Sequence, residues 1–344
     1  MVKSLQVQIQ KYIEEHGEAT PKLLISHFQV SAVTVHHHLK ALIKENTIQK
    51  FGVTPRVFYR MIYTPAVSVS STFTIGNDIH HGAAVHFPRV PIAYSKLINE
   101  NFYTISPSGT PEFGIVAFYH WVTKRKLDFV KTAQQYADTV KKYESLKNKL
   151  GLIDATQKIQ ESFPQTQLKK MYYVDFYSYP VFGKTKLGTL LLNAKQTMDI
   201  SLIEQTIEVA KPKILAIIQK YSIDALAFVP PTISRKVQFM TELEKAFGDM
   251  LPIVKLEKVR NTIAVQQKTL KIFDDRVENA QNTIFVADER HFKNALIIDD
   301  AVGSGATIAV VSQKLLRQKT AQNTYAVSIV GSANSKQFEV INEI

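Results

Sequence analysis

The stretch Asn294-Ala-Leu-Ile-Ile-Asp-Asp-Ala-Val-Gly-Ser-Gly-Ala-Thr307 decides the fold of the C-terminal half of the chain. Its apolar, partly β-branched residues 295–298 predict a buried strand of a parallel sheet. Asp299 and Asp300 follow, and a loop of small residues leads into a helical stretch. Ligands of open α/β sheets bind just outside the carboxyl ends of the strands. We therefore expect the loop to hold a phosphate at a helix N-terminus, with the aspartates facing ribose hydroxyls or a bound Mg²⁺.

The same stretch resembles the motif with which type I phosphoribosyltransferases bind phosphoribosyl diphosphate (PRPP). That motif has an apolar strand, two acidic residues, two variable residues and a small hydroxyl-rich loop with Gly-x-Thr, in this order. The resemblance implies an α/β fold of the phosphoribosyltransferase type with a parallel sheet. It implies that Asp299 and Asp300 hold the ribose 2′- and 3′-hydroxyls. The residues implied to bind the 5′-phosphate are Gly303, Ser304, Gly305, Ala306 and Thr307. The alternative is a strand–helix loop with an acidic cap and no ligand.

A second apolar run, residues 224–229, ends at Pro230 and Pro231 and is followed by a polar, basic loop. In the family this position holds the loop that binds pyrophosphate, for which Arg and Lys are suitable cations. The residues given this role by the resemblance are Pro231, Thr232, Ser234, Arg235 and Lys236. The alternative is an ordinary strand-ending turn with a solvated basic pair.

The segment between these two strands is similar to the ComF-like (competence-protein) branch of the family. The residues that carry this similarity are Arg260, Thr262, Gln266, Asp275, Arg276, Asn279 and Phe285. The similarity covers about residues 170–335, and the zinc-binding cysteines of many ComF-like proteins are absent, since the sequence contains no Cys. It implies a hood over the ligand formed by Arg260, Gln266 and Arg276. The alternative is a solvated charged loop.

Gly303 bears on catalysis. Purine phosphoribosyltransferases often carry an Asp at this position, and that Asp is the proposed general base. Glycine has no group that transfers a proton, so no catalytic residue is assigned. Other transferases of this fold lack that Asp and are active, so an active enzyme stays open as an alternative.

The first 62 residues carry a separate pattern. Apolar spacing, with Thr20-Pro21 and Ser31 as starts, predicts a second and a third helix after an initial one. Two strand-like runs with a turn at residues 52–55 follow. The pattern resembles a winged helix-turn-helix, which implies that the third helix enters the major groove of DNA and that the hairpin contacts phosphates. The residues implied to bind DNA are Thr34, His36, His37, Lys40, Lys50, Arg56 and Arg60. A winged helix that contacts another protein is the alternative.

The sequence offers no metal site of its own. Residues 36–38 are three consecutive histidines, but consecutive residues on a helix point about 100° apart and do not converge on one ion. The only metal that we expect is Mg²⁺ entering together with PRPP, as the resemblance allows.

Composition sets the limits for these assignments. The chain has 344 residues, a net charge of +12 and 45% hydrophobic residues, which predicts two or three domains with real cores and a polyanionic partner. We expect a winged helix over 1–62, a linker and helical connector over 63–165, and a phosphoribosyltransferase-like domain over 166–344. The absence of Cys, of a signal-peptide pattern at the start and of a long apolar run predicts a cytoplasmic chain without membrane contact.

The combination of the two patterns resembles the architecture of the purine-operon repressor family. In that family the transferase fold senses PRPP without having to catalyse. We therefore expect a homodimeric, DNA-binding transcriptional regulator that senses PRPP or a nucleotide. The alternatives are an active phosphoribosyltransferase with an accessory winged helix, and a ComF-like protein that serves DNA uptake or repair.

Overall fold

The computed structural model describes residues 5–16, 18–45, 47–53, 56–61, 72–75, 78–81, 88–231, 235–259 and 273–333. The chain divides into two compact units, residues 1–87 and 88–344. No helix in the described ranges combines the length and the apolar character that crossing a bilayer requires.

The first unit begins with three helices and a hairpin, as the sequence predicts. The elements are α1 (Leu5–His16), α2 (Pro21–Phe28), α3 (Ala32–Lys44), β1 (Ile48–Phe51) and β2 (Phe58–Met61), followed by a second hairpin of β3 (Thr72–Ile75) and β4 (Asp78–His81). The predicted caps are confirmed: Leu23 N–H donates to Thr20 Oγ1 over 3.2 Å, and Thr34 N–H donates to Ser31 Oγ over 3.1 Å.

One apolar core holds this part together. Helix α1 contributes the buried side chains of Ile9 and Ile13, and α3 contributes those of Leu39 and Leu42. These residues are three or four positions apart, which is the spacing of the buried face of an amphipathic helix. Backbone hydrogen bonds in both directions between Ala19 and Tyr59 attach the segment after α1 to the edge of the hairpin.

The second unit starts with helices that carry an aromatic cluster. The elements are α4 (Ile92–Asn101), β5 (Tyr103–Ile105), β6 (Pro111–Phe113), α5 (Gly114–Lys124) and α6 (Phe129–Glu144). Edge-to-face and tilted ring contacts join Phe102, Phe118, Tyr136 and Phe182, with centroids 5.1–5.5 Å apart. Because Phe182 lies far beyond the helices in sequence, these contacts tie the helical segment to the rest of the unit.

The rest of the unit is a mixed α/β assembly around a five-stranded sheet. In chain order its elements are β7 (Ile153–Asp154), α7 (Thr156–Ser162), β8 (Lys170–Phe176), β9 (Ser178–Tyr179), β10 (Gly183–Lys184), α8 (Lys186–Thr197), α9 (Ile200–Lys220), β11 (Ala225–Phe228), α10 (Phe239–Phe247), β12 (Leu256–Lys258), α11 (Phe273–Thr283), β13 (Ile284–Val286), β14 (Phe292–Val302), α12 (Ala306–Arg317) and β15 (Ala321–Gly331). The strand order is β11-β14-β15-β8-β7. The first four strands are parallel, as predicted, and β7 is antiparallel at the edge.

Two details differ from the sequence-based expectation or add to it. The motif strand β14 runs through the acidic pair to Val302 instead of ending at Ile298, because its pairing with β15 continues to Gly331. The division between connector and domain at 165/166 stays a prediction, but β7 comes from the predicted connector and pairs with β8 of the predicted domain.

The sheet core explains why the motif strand is so apolar. Leu296 and Ile298 of β14 pack with Leu226 of β11 and Val327 of β15 in one cluster that includes residues of α8, α9 and α10. Because the strands are parallel, the carboxyl ends of β11 and β14 open at the same edge of the sheet.

Candidate functional site

A cavity of about 250 Å³ lies at this edge of the sheet. The segment after β11 contributes Val229, Pro230 and Pro231, and Val229 N–H donates to Ile298 O over 2.9 Å. This bond keeps the exit of β11 beside the acidic pair of β14. The other residues that line the cavity are Lys195, Gln196, Arg235, Val237, Gln238, Phe239, Met240, Lys258, Arg276 and the run 299–308.

The acidic pair forms one wall of the cavity. Asp300 N–H donates to Asp299 Oδ1 over 2.8 Å, and Lys195 Nζ lies 2.8 Å from Asp300 Oδ2. Burial and the neighbouring charge of Asp300 raise the pKa of Asp299 to about 7, although Lys195 and Lys258 act in the opposite direction. Asp299 therefore keeps a proton to a higher pH than an ordinary carboxyl does.

The loop after the acidic pair leads into the start of α12. Gly305 has a φ of 76° at the N-cap position, a left-handed conformation that favours glycine, and as a glycine it has no side chain to cap the helix. One first-turn N–H has a side-chain acceptor, because Ala306 N–H donates to Ser304 Oγ over 3.4 Å. The first N–H groups of a helix have no partner within it, so this end of α12 offers donors and partial positive charge to an anion.

The charges around the cavity favour an anionic ligand that also carries hydroxyl groups. Among the described residues, four cations line it: Lys195 from α8, Arg235, Lys258 from β12 and Arg276 from α11. Burial lowers the pKa of both Lys258 and Arg276. The two carboxylates of the acidic pair offset only part of this positive charge.

The structure brings most of the predicted ligand-site residues into one place. Asp299, Asp300 and the whole loop Gly303–Thr307 line the cavity, together with Pro231, Arg235 and Arg276. Lys236 is exposed and does not line it. Thr232, Ser234, Arg260 and Gln266 lie outside the described residues. The roles of all these residues in binding PRPP stay predictions.

Lys195 and Lys258 line the cavity but were not foreseen from the sequence. They lie outside the motif segments and come to the cavity through the packing of α8 and the pairing of β12 with β13. No local pattern marks either lysine. Only the general rule that paired, poorly solvated carboxylates need a neighbouring cation points to a lysine beside the acidic pair.

The residues present do not fit a divalent metal held at Asp300. Mg²⁺ requires octahedral coordination by oxygen, whereas a lysine ammonium occupies hydrogen-bonding distance to this carboxylate. In the described part of the chain, no group of three or more His, Cys, Asp or Glu side chains is arranged to hold a metal.

In the first unit, the predicted DNA-binding residues are distributed over α3 and the β1–β2 hairpin. His36, His37 and Lys40 of α3 are exposed, while Thr34 is partly buried with its hydroxyl 2.8 Å from that of Ser31. All three hairpin cations, Lys50, Arg56 and Arg60, are also exposed.

The register of the hairpin separates two of these cations. Lys50 lies opposite Tyr59 and Gln49 lies opposite Arg60, so the Lys50 and Arg60 side chains project from opposite faces. Arg60 is also paired, because its Nε and Nη2 donate to Glu18 Oε2 over 2.9 and 2.5 Å.

Comparison with known protein families gives no match, and neither does comparison with curated proteins. Among solved structures, the chain is similar to a crystal structure of adenine phosphoribosyltransferase, with 17% identity over 38% of this chain and 72% of that chain, and a TM-score of 0.25. A TM-score this low does not establish a common fold.

Proposed function

We propose that the chain is a DNA-binding transcriptional regulator whose phosphoribosyltransferase-like domain binds PRPP or a nucleotide. The observation that carries the ligand part is the meeting, in one cavity, of an acidic pair, the N-terminus of α12 and four cations. Each of these features suits one part of a phosphorylated ribose.

Each group of residues in the cavity matches the chemistry of one part of PRPP. Carboxylates are acceptors for the ribose hydroxyls, here Asp299 and Asp300. The N–H groups at the start of α12 and the hydroxyls of Ser304 and Thr307 suit a 5′-phosphate. Arg235 and the other cations suit a diphosphate, since guanidinium and ammonium groups form charge-assisted hydrogen bonds with phosphate oxygens.

The DNA part rests on the first unit. Three helices with a following antiparallel hairpin and an exposed face on α3 support its interpretation as a winged helix-turn-helix. In this interpretation His36, His37 and Lys40 approach the major groove, and Lys50 and Arg56 approach phosphates. A homodimer would read two half-sites, because one winged helix contacts few base pairs.

Sensing is preferred to catalysis because Gly303 provides no group for proton transfer. One feature favours an active phosphoribosyltransferase as the second candidate: Asp299 lines the cavity, and burial and the charge of Asp300 raise its pKa toward the range that suits a general base. The two candidates share the ligand and differ in whether pyrophosphate is released.

Isothermal titration calorimetry with PRPP tests the ligand part. We expect binding to the wild-type chain and strongly weakened binding to the double variant Asp299→Asn/Asp300→Asn, with an unfolding transition that shows an intact fold. Equal affinity in both proteins would exclude this cavity as the PRPP site.

Two further measurements separate the candidates. Fluorescence anisotropy with duplex fragments from upstream of the gene, with and without PRPP, should show DNA binding that the ligand changes. Pyrophosphate release should stay at background with adenine, guanine, hypoxanthine, uracil or orotate. Steady release with one of these bases would favour the enzyme over the sensor.

A further inference from the structure

The ion pair between Lys195 and Asp300 places a fixed cation inside the candidate site. The Nζ–Oδ2 distance is 2.8 Å, and the two side chains are only 24% and 19% exposed. Lys195 lies in the last turn of α8, where the helix carries partial negative charge and favours a cation. Both ends of the contact are thus held by regular secondary structure.

The start of α8 is anchored as well. Thr185 Oγ1 accepts from Gly188 N–H over 3.0 Å and donates to Phe176 O, at the end of β8, over 2.7 Å. Because α8 is fixed to the sheet at its first turn and packs on α9 and the sheet along its length, Lys195 reaches Asp300 without a mobile loop.

Two adjacent, poorly solvated carboxylates need positive charge nearby. In a site for phosphorylated ribose a divalent cation can supply it. Here an ammonium already does so at Asp300, and Lys258, which lines the same cavity, favours the charged form of Asp299. A divalent cation at Asp300 would have to displace Lys195 and would meet repulsion from the remaining cations that line the cavity.

We propose that Lys195 is a specificity-determining residue that takes the place of a divalent metal, so that this cavity binds phosphorylated ribose without Mg²⁺. This inference rests on the proposed function, since it concerns the same cavity and ligand. The lysine holds the Asp300 side chain in place, and its remaining N–H groups are available to a ribose hydroxyl oxygen.

The test is calorimetric binding of ribose 5-phosphate and of PRPP, each in EDTA and in excess Mg²⁺. Wild-type affinity for ribose 5-phosphate should be the same in both buffers. Lys195→Gln should bind about tenfold or more weakly in EDTA, as expected for a lost charged contact, and Mg²⁺ should restore much of the loss. Lys195→Arg, which keeps the charge, should stay independent of Mg²⁺.

Lys186→Gln is the matched control, because Lys186 is exposed at the other end of α8 and does not line the cavity. It should bind like wild type in both buffers, and thermal unfolding of each variant verifies the fold. Wild-type binding of ribose 5-phosphate that needs Mg²⁺ would overturn the inference. So would an affinity of Lys195→Gln for ribose 5-phosphate in EDTA that equals that of the wild type. Either result leaves the proposed ligand intact. Failure of the wild type to bind either ligand in both buffers overturns the proposed function itself, and the inference with it.

Discussion

Asp299 and Asp300 are joined by a hydrogen bond of 2.8 Å from the backbone N–H of Asp300 to Asp299 Oδ1. This bond favours the ionised form of Asp299, but burial and the charge of Asp300 outweigh it and raise the pKa to about 7. The buried carboxyl of Asp299 therefore lowers the free energy of unfolding, as is common where a site needs charged groups away from water.

Asp299→Asn should stabilise the fold, and more so at high pH. An unfolded Asp has a pKa of about 3.9, so between that value and about 7 the folded chain holds a proton that the unfolded chain releases. The unfolding free energy of the wild type accordingly falls as pH rises through this window. Urea unfolding should give a gain from Asp299→Asn that is larger at pH 8 than at pH 5 by on the order of 2–3 kcal/mol.

Asp274→Asn is the control for this effect, because Asp274 is an exposed carboxylate in the first turn of α11. Its effect on stability should be similar at both pH values. The same gain from Asp299→Asn at pH 5 and at pH 8 would mean that the pKa of Asp299 is not raised.

Gly331→Ala should destabilise the sheet where β15 pairs with β8. A Cβ atom at Gly331 would lie 2.3 Å from the ring of Tyr173, which is 1% exposed and has no room to withdraw. Overpacking of this kind costs about 1–3 kcal/mol, measurable by urea unfolding. The cost should shrink when Tyr173→Leu is combined with it, and a purely additive pair would contradict the steric explanation.

Tyr173→Phe should be neutral or stabilising. The Tyr173 hydroxyl is buried without a hydrogen-bond partner among the described residues, and burial raises its pKa. Removing an unsatisfied buried hydroxyl should raise the unfolding free energy by up to about 1 kcal/mol. Tyr172→Phe is the contrast, because the Tyr172 hydroxyl lies 2.5 Å from that of Tyr221, and its removal should destabilise. A clear loss of stability in Tyr173→Phe would indicate a partner for this hydroxyl.

The parts of the cavity that the sequence predicts are those encoded locally. The apolar strand, the acidic pair and the small-residue loop follow one another within a single stretch, so their proximity needs only one strand–loop–helix unit. The same holds for the caps at Thr20 and Ser31, which act within three residues.

The parts that were not predicted depend on packing between distant segments. Lys195 is brought to Asp300 by the anchoring of α8, and no spacing in the sequence encodes that contact. The extension of β14 beyond Ile298 depends on its pairing with β15, and these two strands pair only in the folded sheet. Glu18 meets Arg60 because the segment after α1 pairs with β2.

The pair of Arg60 and Glu18 changes what is expected of the hairpin in DNA binding. A phosphate contact by Arg60 would require its separation from Glu18, whereas exposed Lys50 has no such carboxylate contact among the described residues. Each phosphate contact contributes roughly 0.9 to the slope of log K against log[salt]. Lys50→Ala should therefore flatten the slope by about this amount, and Arg60→Ala by clearly less.

Glu18→Gln provides the sharper test. It removes a negative charge and releases Arg60, so it should strengthen binding to all duplex sequences and steepen the salt dependence. Lys11→Ala on α1 is the control, since Lys11 is paired with Glu15 outside α3 and the hairpin and should leave the slope unchanged. Fluorescence anisotropy of the full chain at several salt concentrations measures all four variants. An equal loss of slope in Lys50→Ala and Arg60→Ala would show that Glu18 does not hold Arg60 in the complex, and no binding of the wild type at low salt would remove the regulator proposal.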